Sequence, residues 1–344
     1  MLAAAPSLVA ACGDDFESPS SVTSVRVLAV ELDAPFARPG ADVTLTMLVH
    51  DGGAPLGAAR PLSIAWFAGC DDPDDDSPAA CYPRLAWLRG LSPDELAGTA
   101  PRGDGALGHG EVFKVRVPPD LITRHAPRVG EPVPRGLSYV FFAVCAGALV
   151  ADGAARPRAG VPVRCVDAET GVDAGPSRFV SGYATVRAYD DLVNHNPVLA
   201  SVSVGGAAPA SCDAEAACPD GAPCVDGRCA LSLPRCDAGS RDDCPAIAVL
   251  PTLEDASFEL DEAAASPGVP AEGELLWAAY FTTAGAFDAP VRTIFEPTDG
   301  RRPAAETAGA LRLDPGFAGP MRVWSVVHDG RGGVAWAHVD AVVR

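Results

Sequence analysis

The stretch Asp42-Val43-Thr44-Leu45-Thr46-Met47-Leu48-Val49-His50-Asp51-Gly52-Gly53 decides the fold class. Val43, Leu45, Met47 and Val49 alternate with Thr44, Thr46 and Leu48, and in an extended chain alternate residues share a face. One face is therefore strongly apolar, as in a half-buried strand. Asp51-Gly52-Gly53 ends the run with residues that tolerate positive φ. Working outward, Phe113, Val115 and Val117 alternate with Lys114 and Arg116 in the same way. Further strand candidates are Val25 to Leu32, Leu62 to Ala68, Leu137 to Leu149 and Arg178 to Tyr189, separated by Gly, Pro and Asp clusters. Helix is minor: Ser92-Pro93-Asp94-Glu95 reads as a cap and first turn, and Pro118-Pro119-Asp120-Leu121 as a second single turn. The expectation is an all-β protein of antiparallel sandwiches.

A chain of 344 residues exceeds one ordinary domain, so two are expected. Asn194-His195-Asn196-Pro197 marks the boundary, because Asn and Pro break the preceding strand and a new alternating run, Val198 to Val204, follows at once. The first sandwich is placed at residues 25–193 and the second at 194–344. The second draws on Leu275 to Thr282, Ala310 to Leu313, Met321 to His328 and Val334 to Val343. Asp329-Gly330-Arg331-Gly332-Gly333 joins the last two as a terminal hairpin. Cys212 to Cys244 holds six cysteines and few large apolar side chains, which predicts a disulfide-stapled insert over 208–246 within the second sandwich.

The N-terminus suggests a location. Leu8-Val9-Ala10-Ala11-Cys12 reads as a bacterial lipobox, predicting a leader over 1–11, cleavage before Cys12 and acylation of its thiol. The alternative is an irregular N-terminus that happens to carry a cysteine, since no Lys or Arg precedes the apolar run. Removing Cys12 from the 11 cysteines leaves ten, an even set for disulfides, which need an oxidising compartment. Acyl chains contribute about 0.8 kcal/mol per buried methylene and would hold the chain on a bilayer. Gly13, where inner-membrane retention would place Asp, favours the outer membrane within the cell envelope. Residues 12–24 read as an acidic, Ser-rich tether that need not pack. The net charge of −19, with Lys114 the only lysine, argues against nucleic acid as a partner.

Val25-Arg26-Val27-Leu28-Ala29-Val30 followed by Arg38-Pro39-Gly40, the run Tyr139 to Gly147, the junction Asn194 to Pro197 and the ending Val323 to Trp336 resemble uncharacterised lipoproteins of the myxobacterial type. The resemblance implies immunoglobulin-like β-sandwich domains and brings no established activity. The chain departs from a true immunoglobulin domain, with Trp66 four residues before Cys70 and Tyr139 six before Cys145.

The cysteines carry the strongest chemical meaning. Local pairing is simplest for Cys70 with Cys81 and for Cys145 with Cys165, while the connectivity among Cys212, Cys218, Cys224, Cys229, Cys236 and Cys244 stays open. Zinc is the alternative, but only Cys224 and Cys229 approach ligand spacing and no histidine lies in the segment. Asp71, Asp72, Asp74, Asp75 and Asp76 form an acidic loop that offers carboxylates to calcium, or else is simply solvated; Pro73 and the lack of an internal Gly set it apart from calcium loops. Arg102-Gly103-Asp104 reads as a chance turn.

No catalytic motif occurs, so the chain is not expected to be an enzyme. His328 and His338, at the last hairpin, come nearest to a site. Three readings follow: a noncatalytic, membrane-anchored binding or structural lipoprotein with a protein or glycan partner in the envelope; a carbohydrate-binding or carbohydrate-active surface protein using Trp66, Trp87, Trp277, Trp324 or Trp336; and a calcium-dependent adhesion module using Asp71 to Asp76. Each tryptophan reads equally as a core residue.

Overall fold

The computed structural model describes residues 18–58, 60–100, 106–125, 133–154, 160–213, 218–260 and 273–344. The leader 1–11, the acylation site Cys12, residues 12–17 of the tether and Arg102-Gly103-Asp104 lie outside the described residues. The first part of the chain carries β1 (Val25–Leu32), β2 (Phe36–Ala37), β3 (Asp42–Asp51), β4 (Ser63–Asp71), β5 (Leu107–His109), β6 (Val112–Arg116), β7 (Gly136–Cys145), β8 (Ala148–Ala151), β9 (Val163–Val166) and β10 (Phe179–Ala188). The second carries β11 (Leu199–Val204), β12 (Cys224–Val225), β13 (Arg228–Cys229), β14 (Leu231–Leu233), β15 (Ile247–Leu253), β16 (Leu276–Thr282), β17 (Ala286–Phe287), β18 (Val291–Glu296), β19 (Gly300–Arg301), β20 (Gly309–Arg312), β21 (Gly319–Asp329) and β22 (Val334–Val343). The two short helical turns expected from their caps form as α1 (Pro93–Leu96), with a complete Ser92/Glu95 capping box, and α2 (Leu121–Arg124).

In the first unit the sheet β1-β3-β6 shares a core with the sheet β2-β10-β7-β4-β5. Val43, Leu45 and Met47 of β3 face Trp66 of β4 and Val140, Phe142 and Val144 of β7, so the alternation read in β3 is the side-chain pattern of this core. A two-layer sandwich does not complete the unit, however. All ten residues of β7 are buried, and Tyr139, Phe141, Ala143 and Cys145 point into a second core with Leu85, Leu88 and Leu96. That core is covered by a run of 3₁₀ turns over Pro78–Gly90, by α1 and by the β8–β9 hairpin. Disulfides Cys70–Cys81 and Cys145–Cys165 pin this outer layer to the ends of β4 and β7.

In the second unit β11-β15-β20-β17 and β14-β22-β21-β16-β18-β19 enclose a core that includes Val249, Tyr280, Leu311, Met321, Val323, Val339 and Val343. The cysteine segment is not one insert, which corrects the expectation for 208–246. Cys212–Cys224 and Cys218–Cys229 interleave to staple a small module, in which Cys212, Cys218 and Cys229 form the buried apolar cluster among the described residues. The chain then returns to the main sheets: β14 pairs parallel to β22, and the bridge Cys236–Cys244 sits in the main core. The division follows from apolar content, because Leu231 and Leu233 give the later part something to bury.

The two units meet sheet to sheet. A β-bulge between Val27 and Ala29 shifts the phase of β1, so Val25, Val30 and Leu32 face the first core while Leu28 and Ala29 face outward. There they join Val22, Trp324, Val326 and Val334 in a buried apolar cluster between β1-β3-β6 and the outer face of β16-β21-β22. The boundary residues clasp both units: Asn196 donates to the Leu32 carbonyl at 2.8 Å and accepts from the Val334 amide at 2.9 Å. Asn194 donates to Asp329 at 3.0 Å. Beside it, buried Arg331 donates to Glu274 at 2.7 Å and to Glu259 at 2.6 Å, and burial pushes the Glu274 carboxyl up to about 7 against the pull of Arg331.

The expectation of an unpacked tether is also corrected within 18–24. Ser20, Ser21 and Val22 are buried. The Ser20 hydroxyl accepts from the Phe287 amide at 2.9 Å, the Ser21 hydroxyl donates to the Gly285 carbonyl at 2.7 Å, and the Val22 amide donates to the Thr282 carbonyl at 2.8 Å. This strap crosses from the second unit to Gly52, where an added Cβ would lie 2.0 Å from the Val22 carbonyl oxygen. Gly52 is thus required by close approach of the strap, since its φ is not positive.

Candidate functional site

The site lies where the first unit, the outer face of β21–β22 and the disulfide module meet. The terminal hairpin sets its register: Arg322 opposes Asp340 and Trp324 opposes His338. Outer-face positions alternate with core positions, so Arg322, Trp324, Trp336, His338 and Asp340 share one face. Near the interunit junction that face is apolar and covered. Toward the module it carries a charged pair: Arg322 Nε donates to Asp340 Oδ1 at 2.7 Å and Nη2 to Oδ2 at 3.0 Å. This two-pronged geometry fixes both planar groups. Burial raises the Asp340 carboxyl, but hydrogen bonds from His338 and Arg322 outweigh it and bring it down to about 2. Asp340 is therefore a fixed anion with a side chain only 15% exposed.

Two other parts complete the wall. From the first unit, Asp51 is buried and held by Arg60 through bonds of 2.6 and 2.7 Å, and the neighbouring His50 ring lies 4.8 Å from Trp324. Burial, reinforced by the positive Arg322, holds His50 below its ordinary range, so its imidazole is neutral at pH 7. From the module, the β12–β13 hairpin turns at Asp226 and Gly227, both at positive φ as a two-residue hairpin requires. The turn brings an Asp226 oxygen to 3.9 Å from Arg322. Oxygens of Asp226 and Asp340 and a ring nitrogen of His338 lie within 4.8 Å of one another.

The Arg322–Asp340 pair separates two clefts. The larger, of about 340 Å³, is lined by Pro55, Leu56, Leu62, Pro223, Val225 and Pro320 among others, with His50, Arg60, Arg322 and Asp340 as its polar groups. The smaller, of about 290 Å³, is lined by Asp226, Arg228, Trp336, His338 and Asp340 with Pro209 and Val225. Mostly apolar walls with a few fixed polar groups suit a small ligand or a side chain of a partner.

The sequence-level candidates fall elsewhere for the most part. His328 and His338 are not neighbours, because the register sets His328 against Val334 and stacks it on Trp277 at 5.2 Å. Trp66 is fully buried, with its indole N–H donating to the Gly110 carbonyl at 2.8 Å; Trp324 is buried at the interunit junction, and Trp87, part of the outer layer, packs partly buried against the second core of the first unit. Of the five, Trp336 alone lines a cleft, the smaller one. In the acidic loop Asp71 accepts from Ser138 at 2.7 Å and Asp76 accepts from Arg135 at 2.9 Å, while His125 stands 2.8 Å from Asp72 and 3.8 Å from Asp76. Among the described residues, no three of the loop's carboxylates converge at ligand distance. His50, Asp51, Arg60, Asp226, Arg322 and Asp340 form no motif in the sequence. A signal existed in β21 and β22, where Arg322 and Asp340 stand among apolar residues and come opposite once the hairpin is centred on 329–333.

No protein-family model matches the chain, and no curated protein does. Among solved structures, fibronectin(III)-like modules of CbhA from Clostridium thermocellum align over 92% of this chain and 94% of theirs, at 10% identity and a TM-score of 0.22. The adhesin InvE of Yersinia pseudotuberculosis aligns over 93% of this chain and 60% of its own, at 10% identity and a TM-score of 0.17. A 1.5-MDa bacterial ice-binding adhesin aligns over 94% and 66%, at 9% identity and 0.18. Scores of this size carry no argument about the fold or function of this chain. Among its described residues, no helix is long and apolar enough to cross a membrane.

Proposed function

We propose that the protein is a noncatalytic binding module of the cell envelope, two immunoglobulin-like sandwiches moored to the outer membrane through acylated Cys12, with a protein or glycan as its partner. The observation that supports binding is the pair of clefts at the three-part junction, whose charged groups are paired and held rigid by the register of β21 and β22. Disulfides in both units support an oxidising compartment. Placing a photocrosslinker at Leu56 or Val225, in the clefts, or at exposed Val172, remote from them in sequence and fold, tests the reading in intact cells. A discrete adduct from the cleft positions and none from Val172 is expected; equal labelling at all three overturns it. Fatty-acid labelling of Cys12→Ser beside the wild type tests the anchor, and unchanged label in the variant would remove it.

A further inference from the structure

The smaller cleft differs from the larger in having an aromatic wall, and that difference points to a class of ligand. Trp336 packs one part of its indole into the interunit apolar cluster and presents another part to the cleft. Its position is fixed by the pairing of Trp336 with Val326 across the hairpin. Around it stand groups that differ in hydrogen-bonding character: Asp340, an acceptor locked by Arg322; Asp226, an acceptor on the rigid module turn; His338, whose ring lies 3.5 Å from Asp340; and Arg228, a donor. Net charge in this wall is close to balanced, since Arg322 neutralises Asp340 and Arg228 offsets Asp226. The chain as a whole is at −19, so an anionic ligand is repelled at long range.

A ligand matched to this wall has a flat apolar face for the indole, an edge of vicinal hydroxyls for the carboxylates, imidazole and guanidinium, and no net charge. We infer that the smaller cleft binds a neutral sugar ring, the terminal residue of a glycan, stacked on Trp336 and hydrogen-bonded through its hydroxyls to Asp340, Asp226 and His338. This rests on the binding reading above and names its ligand class. The volume of about 290 Å³ lies at the lower end of the roughly 300–1,000 Å³ typical of ligand sites and suits a terminal unit better than an extended chain. The sugar's C–H face gains by leaving water for the indole, and the Asp340 carboxylate needs no reorganisation because Arg322 already holds it through two hydrogen bonds.

The test is titration of the full chain, in detergent, with neutral mono- and disaccharides (glucose, galactose, mannose, N-acetylglucosamine, cellobiose and maltose), read by intrinsic tryptophan emission and by calorimetry. At least one sugar is expected to give a saturable emission change, with affinity falling tenfold or more in Trp336→Ala and in Asp340→Asn. Trp336 also packs at the junction, so Asp226→Asn provides a second variant at an exposed side chain that leaves the fold intact; a several-fold loss is expected there. Trp277→Ala, stacked on His328 outside both clefts, is expected to bind as the wild type does. Absence of a saturable response to any neutral sugar, a response that survives both Trp336→Ala and Asp226→Asn, or a response to zinc or manganese alone overturns the inference. Adducts from Leu56 and Val225 in cells would stand in each of those cases, so the broader reading fails separately.

Discussion

The outer faces of β7 and β22 show two ways of covering a sheet. Both strands have ten residues and lie inside the larger sheet of their unit. β7 turns Tyr139, Phe141 and Ala143 outward and buries them under a coil layer that Cys70–Cys81 and Cys145–Cys165 hold in place. β22 turns Trp336, His338 and Asp340 outward and is covered by another sheet at one end and by the small disulfide module at the other. A covalently pinned coil can follow an aromatic surface closely and make a true core. Two separate bodies meeting over one strand leave clefts, and charged residues persist there because they are paired.

The largest effect expected from this contrast is in the core. Phe141→Ala should cost about 3–5 kcal/mol in denaturant unfolding, because a fully buried ring is removed from close packing. Trp336→Ala, only partly buried, should cost less than half as much while weakening sugar binding tenfold or more. Equal losses in stability would erase the distinction between the two faces.

The next test separates the disulfides. Removing Cys212–Cys224 by paired Ser substitutions should cost about 2–4 kcal/mol locally, raising amide exchange over 208–230 and leaving β16 and β21 protected. Removing Cys236–Cys244, which sits in the main core, should instead lower protection throughout the second unit. Matching exchange patterns from the two variants would mean that the module and the sandwich unfold as one.

A smaller effect is expected from pH. The Asp340 carboxyl titrates at about 2 when folded and near its ordinary 3.8 when unfolded, so its contribution is present above about pH 4 and lost as pH falls toward 2. The loss should be about 2 kcal/mol in the wild type and absent in Asp340→Asn. A variant curve that falls as steeply as the wild type would show that the pair does not hold the cleft together. The smallest effect concerns the acidic loop: with Asp71, Asp72 and Asp76 already facing Ser138, His125 and Arg135, millimolar calcium should leave the melting temperature unchanged. A rise of several degrees would support the loop as a calcium site.

Strands that bury one face were legible in the sequence, because alternation maps directly onto the pleat; Val25–Leu32 and Val334–Val343 form over the residues expected. Burial of β7 on both faces was less visible, although the unbroken run Tyr139-Val140-Phe141-Phe142-Ala143-Val144-Cys145 is the pattern of a doubly covered strand. The strap over 18–24 was hidden because serine hydroxyls that bind backbone groups look the same in sequence as serines in water. The site was hidden by distance along the chain. His50, Asp226, Arg322 and Asp340 belong to parts that only the packing of two sheets and a module brings together.

The strap also bears on which unit the proposed anchor would hold nearest a surface. Ser18 follows Cys12 by six residues, which reach at most about 20 Å when extended. The strap is bonded to Thr282, Gly285 and Phe287 before the chain enters β1. An acyl chain on Cys12 would therefore moor the later half of the polypeptide beside the bilayer, by the turn that joins β16 to β17, even though the earlier half is the one that follows the anchor in sequence.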